Sequence, residues 1–424
     1  MQHAWRLVQD DWQETCERYL ASIQCWLPIL SRKRLHGSLA NLAENPNADN
    51  TLLILCMKLC TQTKQDMSAG QQPDSDIYNV AKQCCFYAES GGFISLPLVQ
   101  SLVLLAVYEL GHAIYPAAYL TIGRASRLAG VIGLHSRKHT RQLFIDPDTW
   151  TLREEQRRTW WAVFVLDRVI SSGTEGLAVA APAPGSDCLL PCSDAEWDQG
   201  SIGINEPLLA DSFPAGTSLG PFARTCQGAH MLDKVLAHVA RRRHGSGQDV
   251  VAEVLAEAML LHKALLALDT SLSLAPPAVP GHDGVEDGGG NQCALALCCS
   301  ARFLLYSEYG CSDLTGRTPH EERVALESEA LRVAIRGIEL MAGVTVPKIA
   351  RAVVQSATVA AGSPPTINPL LGHAMYYAAT ECACFIREAH EREMMDGALT
   401  QIVKGLEAMQ SQWQVGEEHG EDNG

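Results

Sequence analysis

The 424 residues are 47% hydrophobic and 19% charged, an ordinary balance for a globular protein and too apolar for general disorder. The formal net charge of −15 excludes a chain that is basic overall, as nucleic-acid-binding domains usually are, because phosphate contacts require Lys or Arg. Acidic residues near the start argue against a secretory signal, and Gln100 and Glu109 interrupt the best candidate for a transmembrane helix. We therefore expect a soluble intracellular protein.

Apolar residues recur at helical spacing through most of the chain, which predicts an all-α protein, a large multi-helix bundle with long irregular loops. The first predicted helix covers residues 3–27 and carries aromatic residues seven apart, namely Trp5, Trp12, Tyr19 and Trp26. We interpret this stripe as the core-facing side of a helix, with a dimerising coiled coil as the alternative. Further helices are predicted at about 50–66, 76–90, 95–112, 115–134, 151–171, 222–243, 249–270, 292–308, 320–342, 346–360 and 367–412.

Three stretches lack this periodicity. Residues 172–222 contain seven Gly and six Pro, which predicts a long irregular loop that is either functional or mobile. The glycine-rich residues 276–291 predict a flexible linker, and the acidic residues 416–424 predict a disordered tail. The rest, residues 1–415, is expected to form one large domain with these insertions.

One motif lies in the predicted helix 115–134. The sequence Gly-Arg-Ala-Ser-Arg-Leu-Ala starts at Gly123, and Gly-Leu-His follows from Gly133. The small side chain of Gly123 allows another helix to approach closely. The charged side chains of Arg124 and Arg127 flank the apolar face.

A second motif lies in the predicted helix 151–171. The sequence Glu-Glu-Gln-Arg-Arg-Thr-Trp-Trp starts at Glu154, and Leu-Asp-Arg follows, ending at Arg168. Glu154 and Arg158 are four residues apart, in the order that favours an ion pair along a helix. Asp167 is too far along the helix to pair with Arg158, so we expect it to accept a hydrogen bond from an arginine of the first motif.

Together, these two motifs resemble the fungal-specific transcription factor domain, the helical regulatory region of fungal zinc-cluster activators. The structural signature consists of Gly123, Arg127, Arg157, Arg158, Asp167 and Arg168. The segment from Trp26 to Leu30, the pair Leu190-Pro191 and Trp197 are similar to further family features, so the resemblance covers roughly residues 20–400. The sequence departs from the family at Gly176-Leu177-Ala178, where members usually have Gly-Arg-Pro.

Family members also usually begin with a six-cysteine binuclear zinc cluster, which has no counterpart among these residues. The resemblance implies a fungal transcriptional regulator of a metabolic or secondary-metabolite gene set, located in the nucleus. It would act through a DNA-bound transcription factor or the transcription machinery, without autonomous DNA binding, and could respond to a small-molecule effector or dimerise. Two alternatives remain: a helical small-molecule-binding protein or biosynthetic enzyme on the same scaffold, and a truncated gene model of a full zinc-cluster activator.

A ligand pocket is our prediction for the aromatic part of the second motif, lined by Arg124, Trp160, Trp161 and Phe164. No catalytic residue, metal or cofactor is predicted. The pair His135 and His139 and the G-x-S-x-G sequence at 216–220 are interpreted as chance matches, because neither has the context that its chemistry requires. The 15 cysteines lack zinc-site spacing and are expected to be structural. The basic runs at 32–34 and 241–243 are short enough to be ordinary surface charge, with nuclear import or phosphate contact as the alternative.

Overall fold

A computed structural model describes residues 2–40, 42–62, 75–135, 146–174, 176–185, 187–209, 219–244, 248–274, 291–310, 321–358, 366–388 and 391–413. Within these ranges the chain is helical apart from turns and irregular segments, and the β structure amounts to one isolated bridge between Leu189 and Pro207. The predicted all-α fold is therefore confirmed. The tail predicted at 416–424 lies outside the described residues, as does the linker predicted at 276–291 except for its last residue.

Sixteen α-helices occur in the described parts of the chain. They are α1 Gln2–Arg6, α2 Trp12–Ala21, α3 Arg32–Leu39, α4 Ala48–Thr61, α5 Ser75–Ser90, α6 Leu96–Gly111, α7 Tyr115–Val131, α8 Trp150–Ser172, α9 Asp194–Asp198, α10 Pro221–His244, α11 Gln248–Leu274, α12 Gln292–Gly310, α13 Glu321–Leu340, α14 Val346–Ala357, α15 Gly372–Arg387 and α16 Arg392–Met409. None of the helices described is long and apolar enough to cross a membrane.

The residues group into two compact units. The first comprises Met1–Cys226, Ser356–Pro369 and Met409–Gly424, and the second comprises Gln227–Gln355 and Leu370–Ala408. The single domain predicted for residues 1–415 stays a prediction.

The prediction of one continuous helix over residues 3–27 is wrong. The chain leaves the helix after Arg6, and the carbonyl of Leu7 accepts a hydrogen bond from Lys58 Nζ of α4 at 2.8 Å. The same ammonium lies 2.7 Å from Asp11 Oδ2, just before α2 begins. The predicted aromatic stripe is correspondingly uneven: Tyr19 is buried, whereas the three tryptophans are only half-buried.

Helix α6 is the centre of the first unit. It is buried from Leu98 to Gly111, because α4, α5, α7 and α8 all pack against it. A helix covered on every side needs no polar face, which explains its apolar sequence. Ser95 caps its start by accepting a hydrogen bond from the N–H of Leu98 at 3.2 Å. Gln100 and Glu109 are the polar exceptions within this buried stretch that matter below.

The far end of the chain completes the first unit. The ring of Trp413 lies on α6 at Gly111, where an added Cβ would come within 2.2 Å of that ring. Trp413 Nε1 donates to the carbonyl of Ile367 at 2.9 Å, and Gln412 Nε2 donates to the carbonyl of Cys60 at 3.1 Å. Glycine is thus required at position 111 by close approach, since any side chain there would displace the indole.

The second unit is built on α12, which packs against α11, α13 and α15. A π-helical turn over Met341–Thr345 joins α13 to α14. Pro347 is the second residue of α14, and since proline has no N–H and crowds the preceding turn, the wider π turn lets the helix continue. The helix predicted at 367–412 is divided instead into α15 and α16, and Glu391 between them has a positive φ of 45°.

The cysteines behave as buried apolar side chains. Of the 14 that the structure describes, 11 are buried and all are free thiols. This agrees with the structural role expected from their irregular spacing.

Candidate functional site

Helix α8 carries an unusual number of buried charged side chains. Thr149 caps its start, accepting a hydrogen bond from the N–H of Leu152 at 3.2 Å. The five buried charged residues, which we call the α8 clamp, are Glu154, Glu155, Arg158, Asp167 and Arg168. Burying a charge is costly unless it is paired and hydrogen-bonded, so the partners of the clamp explain its presence.

Arg158 is the centre of the clamp and is fully buried. Its Nε lies 3.1 Å from Glu154 Oε1, one turn earlier, and its Nη1 lies 2.7 Å from Asp194 Oδ1. Nη2 donates to the carbonyl of Cys192 at 2.8 Å, and Nη1 donates to the carbonyl of Pro28 at 3.4 Å. Burial lowers the pKa of Arg158, but the two carboxylates outweigh it and raise that pKa above the usual value.

Both carboxylates beside Arg158 also bind backbone or amide groups. Glu154 Oε1 accepts from the N–H of Cys192 at 2.9 Å, and Oε2 accepts from Asn205 Nδ2 at 2.9 Å. Asp194 Oδ2 accepts from the N–H of Phe222 at 2.9 Å, in the first turn of α10. The ion pair thereby fixes the irregular segment around residue 192 and the start of α10.

Glu155 holds a second irregular segment. Its Oε1 accepts from the N–H of Ser31 at 3.0 Å, and its Oε2 from Arg34 Nε at 2.6 Å. From α6, Gln100 Nε2 donates to the carbonyl of Ile29 at 3.2 Å. Residues 27–31 are buried without being helical, so these side chains supply the hydrogen bonds that their backbone would otherwise lack.

Asp167 and Arg168 hold a third irregular segment. Asp167 accepts hydrogen bonds from the N–H groups of Ala180 and Ala181, each at 3.0 Å, and also from Arg168. Arg168 Nη2 donates to the carbonyl of Ala181 at 2.7 Å, and its guanidinium lies 4.2 Å from the ring of Phe164. Burial raises the pKa of Asp167, although the two backbone donors and Arg168 oppose that shift.

The predicted partner of Asp167, an arginine of the first motif, is therefore wrong. Arg124 binds Glu89 of α5 instead, with Nη2 at 2.7 Å from Oε1, and Arg127 is exposed. Gly123 does allow a close approach, but the nearest atom to an added Cβ would be that of Ala180, at 3.8 Å. An irregular segment, rather than a helix, lies against this glycine.

The predicted pocket residues on α8 are buried. Trp160 and Trp161 are 3% and 1% exposed, and Phe164 lies 5.5 Å from Trp161 between ring centroids. Trp161 Nε1 donates to the carbonyl of Leu189 at 3.0 Å, whereas Trp160 lies against His135 at 4.7 Å. Since Arg124 binds Glu89, the four residues do not share one set of contacts. A ligand pocket lined by them stays a prediction.

The remaining signature residues and matches lie around the clamp. Arg157 is half-buried and pairs with Glu154. Trp197 lies 4.9 Å from the Arg158 guanidinium, measured to its ring centroid. Leu190 is buried, and its N–H donates to the carbonyl of Glu206 at 2.7 Å. The segments that the sequence singled out at 26–30 and 190–197 are thus those that α8 holds.

Sequence reasoning missed Glu155, Gln100 and Asp194 as parts of this site. Gln100 and Asp194 lie outside the α8 motif, and each binds a residue that is distant in sequence. Asp194, for example, binds Arg158 of α8. A polar residue within an otherwise apolar helix was the available signal for Gln100. Glu155, beside Glu154 in the motif, gave no sign that it was buried.

The other candidate chemistries gain no support. Among the residues that the structure describes, no group of three His, Cys, Asp or Glu side chains is arranged to hold a metal. His139 and residues 216–218 lie outside the described ranges. Arginines of both basic runs form intrachain ion pairs: Arg32 with Asp198, Arg34 with Glu155, Arg241 with Glu257, and Arg242 and Arg243 with Glu308.

Comparison with known proteins identifies the family of this chain. The family model described as the fungal specific transcription factor domain matches residues 16–265, more than half of the chain but less than the range 20–400 expected. The chain therefore belongs to the fungal-specific transcription factor domain family. No solved structure matches it.

Curated relatives agree with this assignment. Transcription factor BOA15 of Botryotinia fuckeliana (strain B05.10) is 39% identical over 149 residues, which cover 35% of this chain and 81% of that protein. The azaphilone cluster-specific transcription factor azaR of Aspergillus niger is 29% identical over 150 residues, covering 33% of this chain and 31% of azaR. The citrinin biosynthesis transcriptional activator mrl3 of Monascus ruber is 22% identical over 164 residues, covering 37% and 31%. The matched regions of azaR and mrl3 are thus about a third of their lengths.

Replacing Arg158 by Met tests the clamp. The variant removes the buried guanidinium that binds Glu154, Asp194 and the carbonyl of Cys192, so we expect a loss of about 3–5 kcal/mol in the free energy of unfolding. Arg153→Met is the matched control, because Arg153 is exposed on the same helix. Adding Glu154→Gln to Arg158→Met should recover part of the loss. Equal denaturant midpoints for the two arginine variants would contradict the assignment.

The pH dependence of stability tests Glu155. Burial raises the pKa of Glu155 above its ordinary value of 4.5, although Ser31 and Arg34 oppose that shift. The folded state thus binds this proton more tightly, so the stabilisation is full below about pH 4.5 and is lost as pH rises through the folded-state pKa. Wild type should therefore lose thermal stability relative to Glu155→Gln between pH 4.5 and 7. The exposed-site control Glu17→Gln should show no such trend, and an opposite slope would refute the assignment.

Proposed function

We propose that this chain regulates transcription of a secondary-metabolite gene set in a fungal nucleus and reaches DNA through a protein partner. Regulation of transcription follows from the family, whereas the gene set and the partner are proposals. The gene set is supported by relatives named for azaphilone and citrinin clusters. The observation that carries the proposal is the α8 clamp, because Arg158, Asp167 and Arg168 belong both to the family signature and to the clamp.

The carboxylates of the clamp already bind other groups of the same chain, which favours a regulatory scaffold over an enzyme. Catalytic acids and bases need a proton that can be exchanged with a substrate. In the clamp, Glu154, Glu155 and Asp167 each bind an arginine and at least one backbone N–H. These carboxylates are engaged in holding chain segments, and the family members named above are transcription factors rather than enzymes.

Charge supports a partner-mediated contact with DNA. The 424 residues carry a net charge of −15, which opposes close approach to phosphates. Arginines of both basic runs are already paired with carboxylates of the same chain. A basic protein bound to DNA would instead be attracted to this acidic region.

Transcript profiling tests the gene set. In a strain that lacks the chain, we expect transcripts of one biosynthetic cluster to change together with the level of its metabolite. Arg158→Met at the native locus should reproduce the deletion, since the clamp is lost, whereas Arg153→Met should behave as wild type. Unchanged transcripts accompanied by a lost metabolite would overturn the regulator and support a biosynthetic enzyme.

Binding to promoters of the affected genes tests the partner. The purified 424-residue chain should not retard these promoter fragments in a gel at about 0.15 M salt. Chromatin immunoprecipitation of the tagged chain should nevertheless recover the same promoters from cells. Sequence-specific retardation by the purified chain alone would contradict the proposed partner while leaving the regulatory role intact.

A further inference from the structure

The two most exposed large hydrophobic side chains of the described residues lie next to the α8 clamp. Ile202 and Ile204 are each 77% exposed, whereas Gly203 between them is buried. A Cβ added to Gly203 would come within 2.7 Å of Cys192 Cβ, so this residue faces inward. Asn205 also faces inward, and its Nδ2 donates to a clamp carboxylate at 2.9 Å. Such alternation is typical of an extended strand with one face in solvent.

A second strand pairs with only one end of this segment. The N–H of Leu190 donates to the carbonyl of Glu206 at 2.7 Å, and the N–H of Leu208 donates to the carbonyl of Cys188 at 2.9 Å. Beyond Leu190 the pairing ends, because clamp side chains bind both the N–H and the carbonyl of Cys192. A strand that loses its neighbour in this way presents backbone groups for pairing with another chain.

The unpaired end carries the two isoleucines. In the described part of the chain, no group forms a hydrogen bond with the backbone of Ile202 or Ile204. Residues two apart on an extended strand direct their N–H and C=O groups to the same side. Ile202 and Ile204 therefore offer two donors and two acceptors in line, and we call residues 202–204 the open edge.

Carboxylates flank the open edge. Glu206 follows at the spacing of the outward face, and Glu196 lies beside Gly203, where an added Cβ would be 2.5 Å from Oε2. Neither carboxylate forms an ion pair with a described residue, unlike Asp198, which is paired with Arg32. A second copy of the chain would bring the same carboxylates and a net charge of −15. The charges thus favour a basic occupant over a second copy.

We propose that a basic, extended peptide segment of a partner protein adds to the open edge as a strand. The occupant is extended because the N–H and C=O groups of Ile202 and Ile204 match those of another strand. It is apolar at alternate residues because cross-strand neighbours on one face pack together. It carries Lys or Arg beside these apolar residues because Glu206 lies on the same face as the isoleucines.

The α8 clamp prepares the open edge for binding. Asn205 is bound to Glu154 and to the carbonyl of Leu190, and Gly203 is packed inward, so the segment is held without the partner. A segment that is already ordered loses little conformational entropy when a peptide binds. The identification of the partner as the DNA-bound protein rests on the proposed function, whereas binding of a peptide of this chemistry does not.

Three synthetic peptides test the open edge. The first is acetyl-Lys-Thr-Val-Thr-Val-Thr-Lys amide, which places Lys, Val, Val and Lys on one face in either strand direction. The second has Glu in place of both Lys. The third is the first with N-methyl groups on its valines and threonines, which removes the backbone donors of those residues.

Fluorescence anisotropy with the purified 424-residue chain at about 0.15 M salt measures binding of each peptide. We expect saturable binding of the first peptide and about fivefold weaker binding of the second, the effect of two exposed ion pairs. The N-methylated peptide should bind at least about tenfold more weakly, since two or more backbone hydrogen bonds are lost.

A double variant of the chain, Ile202→Ser with Ile204→Ser, provides the second arm. Binding of the first peptide should weaken at least about tenfold, because the apolar contact area is removed. The matched control is Leu260→Ser, since Leu260 is 67% exposed but lies on α11 of the second unit, and it should leave binding unchanged. Circular dichroism confirms that both variants are folded.

Four results overturn the proposal. They are no saturable binding of the first peptide, equal binding of its N-methylated form, undiminished binding by the folded double variant, and sedimentation of the chain as a dimer that the double variant abolishes. In the last case a second copy covers the open edge. All four concern the purified chain, so none of them bears on the transcript and promoter tests of the proposed function.

Discussion

Non-helical backbone can be buried only where other groups take its hydrogen bonds, and in the first unit α8 meets that constraint. Its five charged side chains bind the backbone around residues 28–31, 180–181 and 192. Each irregular segment thereby packs against a regular helix, although it lacks the internal hydrogen bonds of one. The charges are tolerated in the interior because they balance one another and because nearly every polar atom has a partner.

The sequence predicted the helices well because one buried face imposes its period on the residues, as in α5 and α7. It failed where a distant group decides the outcome. No local pattern shows that Lys58 of α4 binds the carbonyl of Leu7, in the break between α1 and α2. At the site, the motif identified the clamp helix, and the Glu154–Arg158 spacing predicted their pair correctly. The partners of Asp167 lie in irregular chain 13 and 14 residues away, where periodicity carries no information.

Buried charges of two kinds thus coexist in the first unit. In the α8 clamp, Arg158 binds two carboxylates and two carbonyls, so its donors are directed at the chain itself. At Glu109 both donors, Tyr78 and Lys82, bind the same carboxylate oxygen. Complete hydrogen bonding of the kind seen in the clamp is typical of a structural role.

The contact between Gln412 and Cys60 joins residues 352 positions apart. At a synthesis rate of about 5–20 residues per second, on the order of 20–70 s pass between the synthesis of α4 and α6, which contain Cys60 and Gly111, and that of the segment that covers them. Their apolar surface stays open to chaperones and to other chains throughout that interval. The surface that Gln412 and Trp413 cover is therefore exposed until residues 412 and 413 have been made.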